Sequence, residues 1–233
     1  MPMQVRLIAA GATVLALAGS ATALAVSRSA GSGHVATVAA DGQRAAGLTV
    51  VSGVVSLTIR AGTAPGTLAR AWTPDNSAVR PELSLTGGTV RLQLTGTGHG
   101  GPDAVTVDLS SAVRWQLRLG GGASQISVLM GNGRLAGIDF TAGVSLVRLT
   151  LPRPAGTVTI TLAAGASAMR ILVPASVPAR LQFIGGAAQA VLAGRVYTGI
   201  AGGTVLTAPG WGSARDRYDL DATSGVAQVS VTG

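Results

Sequence analysis

Between residues 115 and 194 one pattern of apolar and small residues recurs four times in almost constant register. It centres on Gly122, Gly143, Gly165 and Gly186, at intervals of 21, 22 and 21 residues. Apolar residues stand three and five places before each glycine: Leu119 and Leu117, Phe140 and Ile138, Leu162 and Ile160, Phe183 and Leu181. Small or apolar residues follow it two, four and six places on, as in Ser124, Ile126 and Val128 or Ser145, Val147 and Leu149. Alternation at period two on both sides of a glycine predicts two half-buried strands meeting at a corner that tolerates no side chain. Two strands per ~21 residues is the size of one coil of a β-solenoid, which buries its apolar face only by stacking on copies of itself.

The same template fits at Gly53, with Leu48 and Val50 behind and Val55, Leu57 and Ile59 ahead. It fits at Gly88, between Leu83 and Leu85 and Val90, Leu92 and Leu94, and at Gly225, between Leu220 and Ala222 and Ala227, Val229 and Val231. The expectation is an all-β chain, a single-stack β-solenoid of about seven two-strand coils over residues 48–233. Where the interval stretches, residues must leave the coil as loops: 61–80 with Trp72, 95–114 with His99, and 195–217 with Tyr197 and Trp211. Ser124, Ser145 and Ser167 are expected to face inward, where small side chains let coils pack closely.

Residues 7–26 break this pattern. They form an uncharged run rich in Ala and Leu, long enough as a hydrophobic helix to cross a bilayer, and they contain the small-x-small cleavage patterns Ala21-Thr22-Ala23 and Ala23-Leu24-Ala25. Residues 1–30 are therefore read as a signal peptide or membrane anchor, and 31–47, rich in Ser, Ala and Gly, as a linker. The chain is addressed to a membrane, either held there through residues 7–26 or secreted after cleavage.

Composition narrows the chemistry. Of the 233 residues 11% are charged, all seventeen basic residues are Arg, and the net charge is +8. Without residues 1–30, 15 Arg face 9 acids, a net charge of +6. The absence of cysteine excludes disulfides and thiolate metal sites. Nucleic-acid binding would need basic residues clustered among aromatics, and here the Arg are dispersed and aromatics make up 3%.

Register across coils makes further pairs neighbours. Arg118 and Asp139, each four places before its glycine, can pair; Arg148 and Arg170, each five places after, lie side by side and either splay into water or hold a bridging anion.

Several of these residues resemble a known family. Gly122-Ala123-Ser124 and Gly165-Ala166-Ser167, each followed by alternating apolar residues, are similar to the rungs of bacterial toast-rack domains. So are the strand ends Thr150-Leu151-Pro152 and Leu172-Val173-Pro174 and the closing segment from Trp211 through Asp216, Asp219 and Asp221 to Gly225. The resemblance is to the C-terminal domains of LiaF-like cell-envelope stress-response proteins and of membrane-anchored actinobacterial proteins. It implies a solenoid fold and a non-enzymatic envelope role.

A catalytic apparatus is not expected. His34 and His99 lie in unlike settings, and Asp219 and Asp221, on one strand face beside Arg215 and Arg217, read best as a charge-balanced end cap. No catalytic, metal or cofactor-binding residue is assigned. The candidate interaction surface is Trp72, His99, Arg148, Arg170, Tyr197 and Trp211, facing an envelope protein or an anionic polymer. Two alternatives stay open: a glycan-active enzyme on a β-helix, which needs an Asp pair in a groove, and a self-assembling structural envelope protein, which needs bare end coils.

Overall fold

The computed structural model describes residues 25–27 and 33–233. The expected hydrophobic helix within residues 1–30 lies outside them. Among the described residues there is no helix, and that part of the chain is all-β. The described residues form twenty strands in two mixed sheets.

The first sheet runs in the order β1 (Ala25–Ser27), β2 (Val35–Ala39), β5 (Thr67–Trp72), β8 (Ala104–Leu109), β4 (Val54–Ala61), β10 (Ala123–Leu129), β12 (Val144–Thr150), β14 (Ala166–Leu172), β20 (Val226–Thr232), β16 (Ala187–Leu192), β17 (Arg195–Ile200). The second runs β18 (Thr204–Thr207), β15 (Ala179–Phe183), β19 (Arg217–Ala222), β13 (Thr157–Leu162), β11 (Arg134–Phe140), β9 (Arg114–Leu119), β3 (Ala45–Val50), β7 (Thr89–Gly96), β6 (Val79–Thr86). From β8 to β16 in one sheet and from β15 to β7 in the other, all neighbours are parallel.

At Gly53, Gly122, Gly143, Gly165, Gly186 and Gly225 the chain passes from one sheet to the other, so a pair such as β9 and β10 contributes one strand to each. Pairs stack in register and their inward residues form ladders. Val90, Leu48, Leu117, Ile138, Ile160, Leu220 and Leu181 are consecutive partners across the second sheet. Leu57, Ile126, Val147, Met169, Val229 and Ala190 are the matching column of the first. All of these are at most 2% exposed, and each fully buried Leu or Ile contributes about 1.5–3 kcal/mol.

Stacking order departs from chain order at both ends. β7 and β8 lie outside β3 and β4, after which the chain returns to lay β9 and β10 on the other side; β19 and β20 enter between β13 and β14 and the terminal β15 and β16. The Gly88 corner is not a coil. Gly87 and Gly88, with φ of 55° and 75°, form the tight turn of an antiparallel hairpin between β6 and β7, and the strand that follows in the other sheet is β8, within the stretch read as a loop. The other excursions also form strands: 61–80 holds β5, and 195–217 holds β17 and β18. The 31–47 stretch expected as a linker contains β2, whose Ala36 joins the core, and the start of β3.

The serine column is corrected as well. In the first sheet each strand after a corner begins with a bend that puts two consecutive residues outward. Val144 and Val147 are buried, whereas Ser145 is exposed and Leu146 half-buried. Ser124 and Ser167 are exposed at the equivalent places, as is Val55 at 54%.

Candidate functional site

The outer face of β10, β12, β14, β20 and β16 carries no acidic residue. At its centre Arg148 of β12 and Arg170 of β14 are direct partners in the parallel ladder. Ser127 flanks Arg148 on one side and Ser230 flanks Arg170 on the other. Arg148, Thr150, Arg170, Leu172, Ser230 and Thr232 line a shallow depression of about 260 Å³. Neither arginine forms an ion pair among the described residues. The two arginines thus occupy adjacent ladder positions, with Ser127 and Ser230 as their outer neighbours and no carboxylate paired to either among the described residues. A bridging carboxylate or phosphate relieves their repulsion and accepts charge-assisted hydrogen bonds from both.

The other four residues of the expected surface are not gathered there. Trp72 lies on β5 and exposed His99 in the turn between β7 and β8, at one end of the stack. That turn is laced to residues 73–78: the Ser77 hydroxyl donates to Pro102 O at 2.8 Å, and the Thr97 hydroxyl to Ser77 O at 2.8 Å. Tyr197 lies on β17 and Trp211 in the segment between β18 and β19, at the opposite end. Eight ladder steps separate β5 from β17, about 38 Å, so these aromatics form no single surface.

Both tryptophans are instead engaged with charged neighbours. Trp72 Nε1 donates to Asp108 Oδ2 at 3.0 Å, and Arg60 Nε donates to Oδ1 of the same carboxylate at 2.8 Å. Arg180 and Arg217 both lie over the Trp211 ring, 4.4 and 4.1 Å from its centroid, and its Nε1 donates to Tyr218 O at 2.8 Å.

The acid-rich closing segment lies on the outer face of the second sheet. Arg180 of β15 grips the carboxylate of Asp219 of β19 with two prongs. Asp221 faces the same way, and its buried Oδ1 has no hydrogen-bond partner. Burial, then the nearby Asp219 charge, push the Asp221 carboxyl above the usual range, while Arg180 pulls it down. Tyr218 points inward, its hydroxyl donating to Pro152 O at 2.6 Å, and burial drives its phenol well above the ordinary value. Arg118 and Asp139 are ladder partners, 3.9 Å apart at the charged atoms.

Sequence reasoning missed the outer groove above β3, between β7 and β9, which holds about 650 Å³ and is lined by Ala45, Gly47, Thr89, Arg114, Gln116 and Arg118 among others. Its signal was Gly47, an outward glycine away from any corner.

No family model matches the chain, and no curated protein matches it. Among solved structures, the chain is similar to a protein of Clostridium sporogenes described as a "putative cell adhesion protein", at 15% identity and a TM-score of 0.61, with 86% of this chain and 99% of that one covered. A protein of Bacteroides fragilis described as a "putative adhesin" matches at 8% identity over 85% of this chain and 97% of its own, with a TM-score of 0.22, and carries no weight. The first likeness extends over nearly the whole solved chain and, at its low identity, shows a shared all-β fold.

Proposed function

We propose that the chain is an exported, membrane-associated β-solenoid that acts without catalysis as a cell-envelope interaction module, binding an anionic envelope polymer. The observation that carries this reading is the Arg148–Arg170 ladder pair on a face of five strands without a carboxylate. The resemblance to toast-rack domains of membrane-anchored envelope proteins supports the address, and residues 7–26 supply either the anchor or the export signal. The antiparallel strands at both ends of the stack speak against assembly by open-ended stacking, because β17 and β18 turn back on the terminal pair. A glycosidase would need two free carboxylates across a groove, whereas Asp219 is committed to Arg180.

Titration of the full chain with polyglutamate at low salt, beside a neutral dextran, tests the binding. Arg148→Gln with Arg170→Gln is expected to weaken polyglutamate binding on the order of tenfold, since two charge-assisted contacts are removed. Unchanged affinity in that double variant would sink the reading. Intact mass of the protein from membrane and medium fractions tests the address: a full-length chain in the membrane supports anchoring, a chain lacking residues 1–23 or more in the medium supports secretion, and a full-length chain in the cytosol overturns export.

A further inference from the structure

The groove on the second sheet is a built feature. Its floor is the outer face of β3, where Ala45 and Gly47 present almost no side chain and Thr49 a short one with a hydroxyl. Gly47 is the lowest point, in register with Thr89 of β7 on one side and Gln116 of β9 on the other. Two ladder steps separate those walls, about 10 Å. Arg118 and Arg91 are both in register with Thr49, one on each side of β3 at one end of the groove, and Arg114 stands at the other end, about 13 Å along β9 from Arg118.

A second glycine keeps the groove open. Gln116 leans away from β3 and lies across Gly137 of β11, where a Cβ would come within 2.7 Å of its Oε1. Asp139 fixes it there by accepting a hydrogen bond from Gln116 Nε2 at 3.1 Å. The nearest carboxylates are occupied: Asp139 by Gln116 and Arg118, and Glu82 by the Thr95 hydroxyl at 2.9 Å and Arg80 at 3.6 Å. Arg118 keeps 63% of its side chain exposed, and Arg91 is exposed without an ion pair among the described residues. Arg114 donates to Leu135 O and Ala155 O at 3.5 and 3.4 Å, contacts long enough to be exchanged for an anion.

From this geometry we infer that the groove above β3 binds an extended, hydroxyl-rich anionic chain, a glycan-type polymer bearing carboxylates or phosphates at intervals. The anions sit between Arg118 and Arg91 and beside Arg114. The hydroxyls meet Thr49 and Thr89 over the glycine floor. An extended peptide would seek main-chain partners at a sheet edge, and here the backbone of β3 is already paired with β7 and β9, leaving only side-chain donors. The inference uses the sheet opposite Arg148 and Arg170 and does not depend on them.

The test is calorimetric titration of the full chain at low ionic strength with an oligogalacturonate, a glycerol phosphate oligomer and an uncharged galactose oligomer. Binding of either anionic oligomer, and not of the neutral one, is expected, and comparison of the two identifies the anion. Arg118→Gln is expected to weaken it on the order of tenfold. Gly47→Leu is expected to abolish it by filling the floor. The Gly47 φ is not positive, and the atoms nearest a Cβ there belong to the Thr89 side chain, at 3.1 Å, which must give by a few tenths of an ångström; circular dichroism checks that the variant folds. If Gly47→Leu does not fold, Arg118→Gln with Arg91→Gln decides by itself. Failure of both anionic oligomers to bind, or binding untouched by these variants, overturns the inference. Binding lost only in Arg148→Gln with Arg170→Gln overturns it while leaving the proposed function standing.

Discussion

Arg180 and Asp219, on adjacent strands β15 and β19, form a two-pronged ion pair in which Arg180 Nε lies 2.7 Å from Asp219 Oδ1 while the same guanidinium stacks on Trp211. The side chains are 28% and 11% exposed, so the pair is largely screened from water. It joins the terminal strand pair to the one threaded beneath it. Arg180→Ala leaves a buried carboxylate without its partner, and the expected loss is about 2–4 kcal/mol by urea unfolding. Arg180→Lys should restore only part of this, because an ammonium cannot reproduce the fork or the stacking.

Asp221 gives the same region a pH dependence. It faces Asp219 and Arg180, with Thr161 and Gln182 as ladder partners. Its carboxyl is raised, so the folded state holds this proton more tightly than the unfolded chain does. Its contribution to stability is therefore present below the ordinary carboxylate range and is lost as pH rises through the raised value. Asp221→Asn should match the natural protein in stability near pH 3 and exceed it at pH 7, measured by thermal unfolding at each pH. A variant less stable at pH 7 would show that the charge is wanted there.

The corner glycines separate into two kinds. A Cβ on Gly143 would meet nothing closer than Gly165 O at 3.7 Å, an ordinary contact, and the Gly143 φ is not positive. A Cβ on Gly121 would lie 1.9 Å from Ser52 O. Gly143→Ala should therefore change stability by less than about 1 kcal/mol, with a gain expected from the stiffer unfolded chain. Gly121→Ala should cost about 3 kcal/mol or more, because the clash is with backbone. Melting temperatures of the two variants check this.

That division marks what the residue pattern could and could not show. The recurring glycine located six of the strand pairs, because the period-two ladder on either side of it is imposed by the pleat. It could not show that the tight contact falls one residue earlier at the Gly122 corner, on Gly121. Nor could alternation reveal the bend that turns Ser124, Ser145 and Ser167 outward, since a small residue is acceptable on either face. Stacking order was hidden for a related reason: one pair's inward Leu and Ile stack as well on any other pair. The excursions that set the order, 61–80 and 195–217, have no repeat. At Gly88 the template matched a hairpin, because an antiparallel strand alternates as a parallel one does. For the candidate site, ladder arithmetic found Arg148 beside Arg170, while the groove over β3 depends on where Gln116 leans, which no spacing encodes.

Trp72 offers a test of whether an aromatic residue in an excursion serves binding or structure. Its indole donates to Asp108 Oδ2, and Arg60, 5.8 Å from the ring centroid, holds Oδ1. Asp108 is 6% exposed, so each hydrogen bond it accepts replaces one that water cannot supply. Trp72→Phe keeps the ring face but removes the donor, and the expected cost is about 1–2 kcal/mol. Asp108→Asn removes the charge that both donors serve. If the two residues act as a unit, the double variant loses less than the sum of the single losses, with a coupling of about 0.5–2 kcal/mol in urea unfolding. Binding of polyglutamate should be unchanged in Trp72→Phe, because the Arg148–Arg170 pair lies four strands away on the same sheet. Additive losses, or weakened polyglutamate binding in a variant that folds normally, would return Trp72 to the interaction surface.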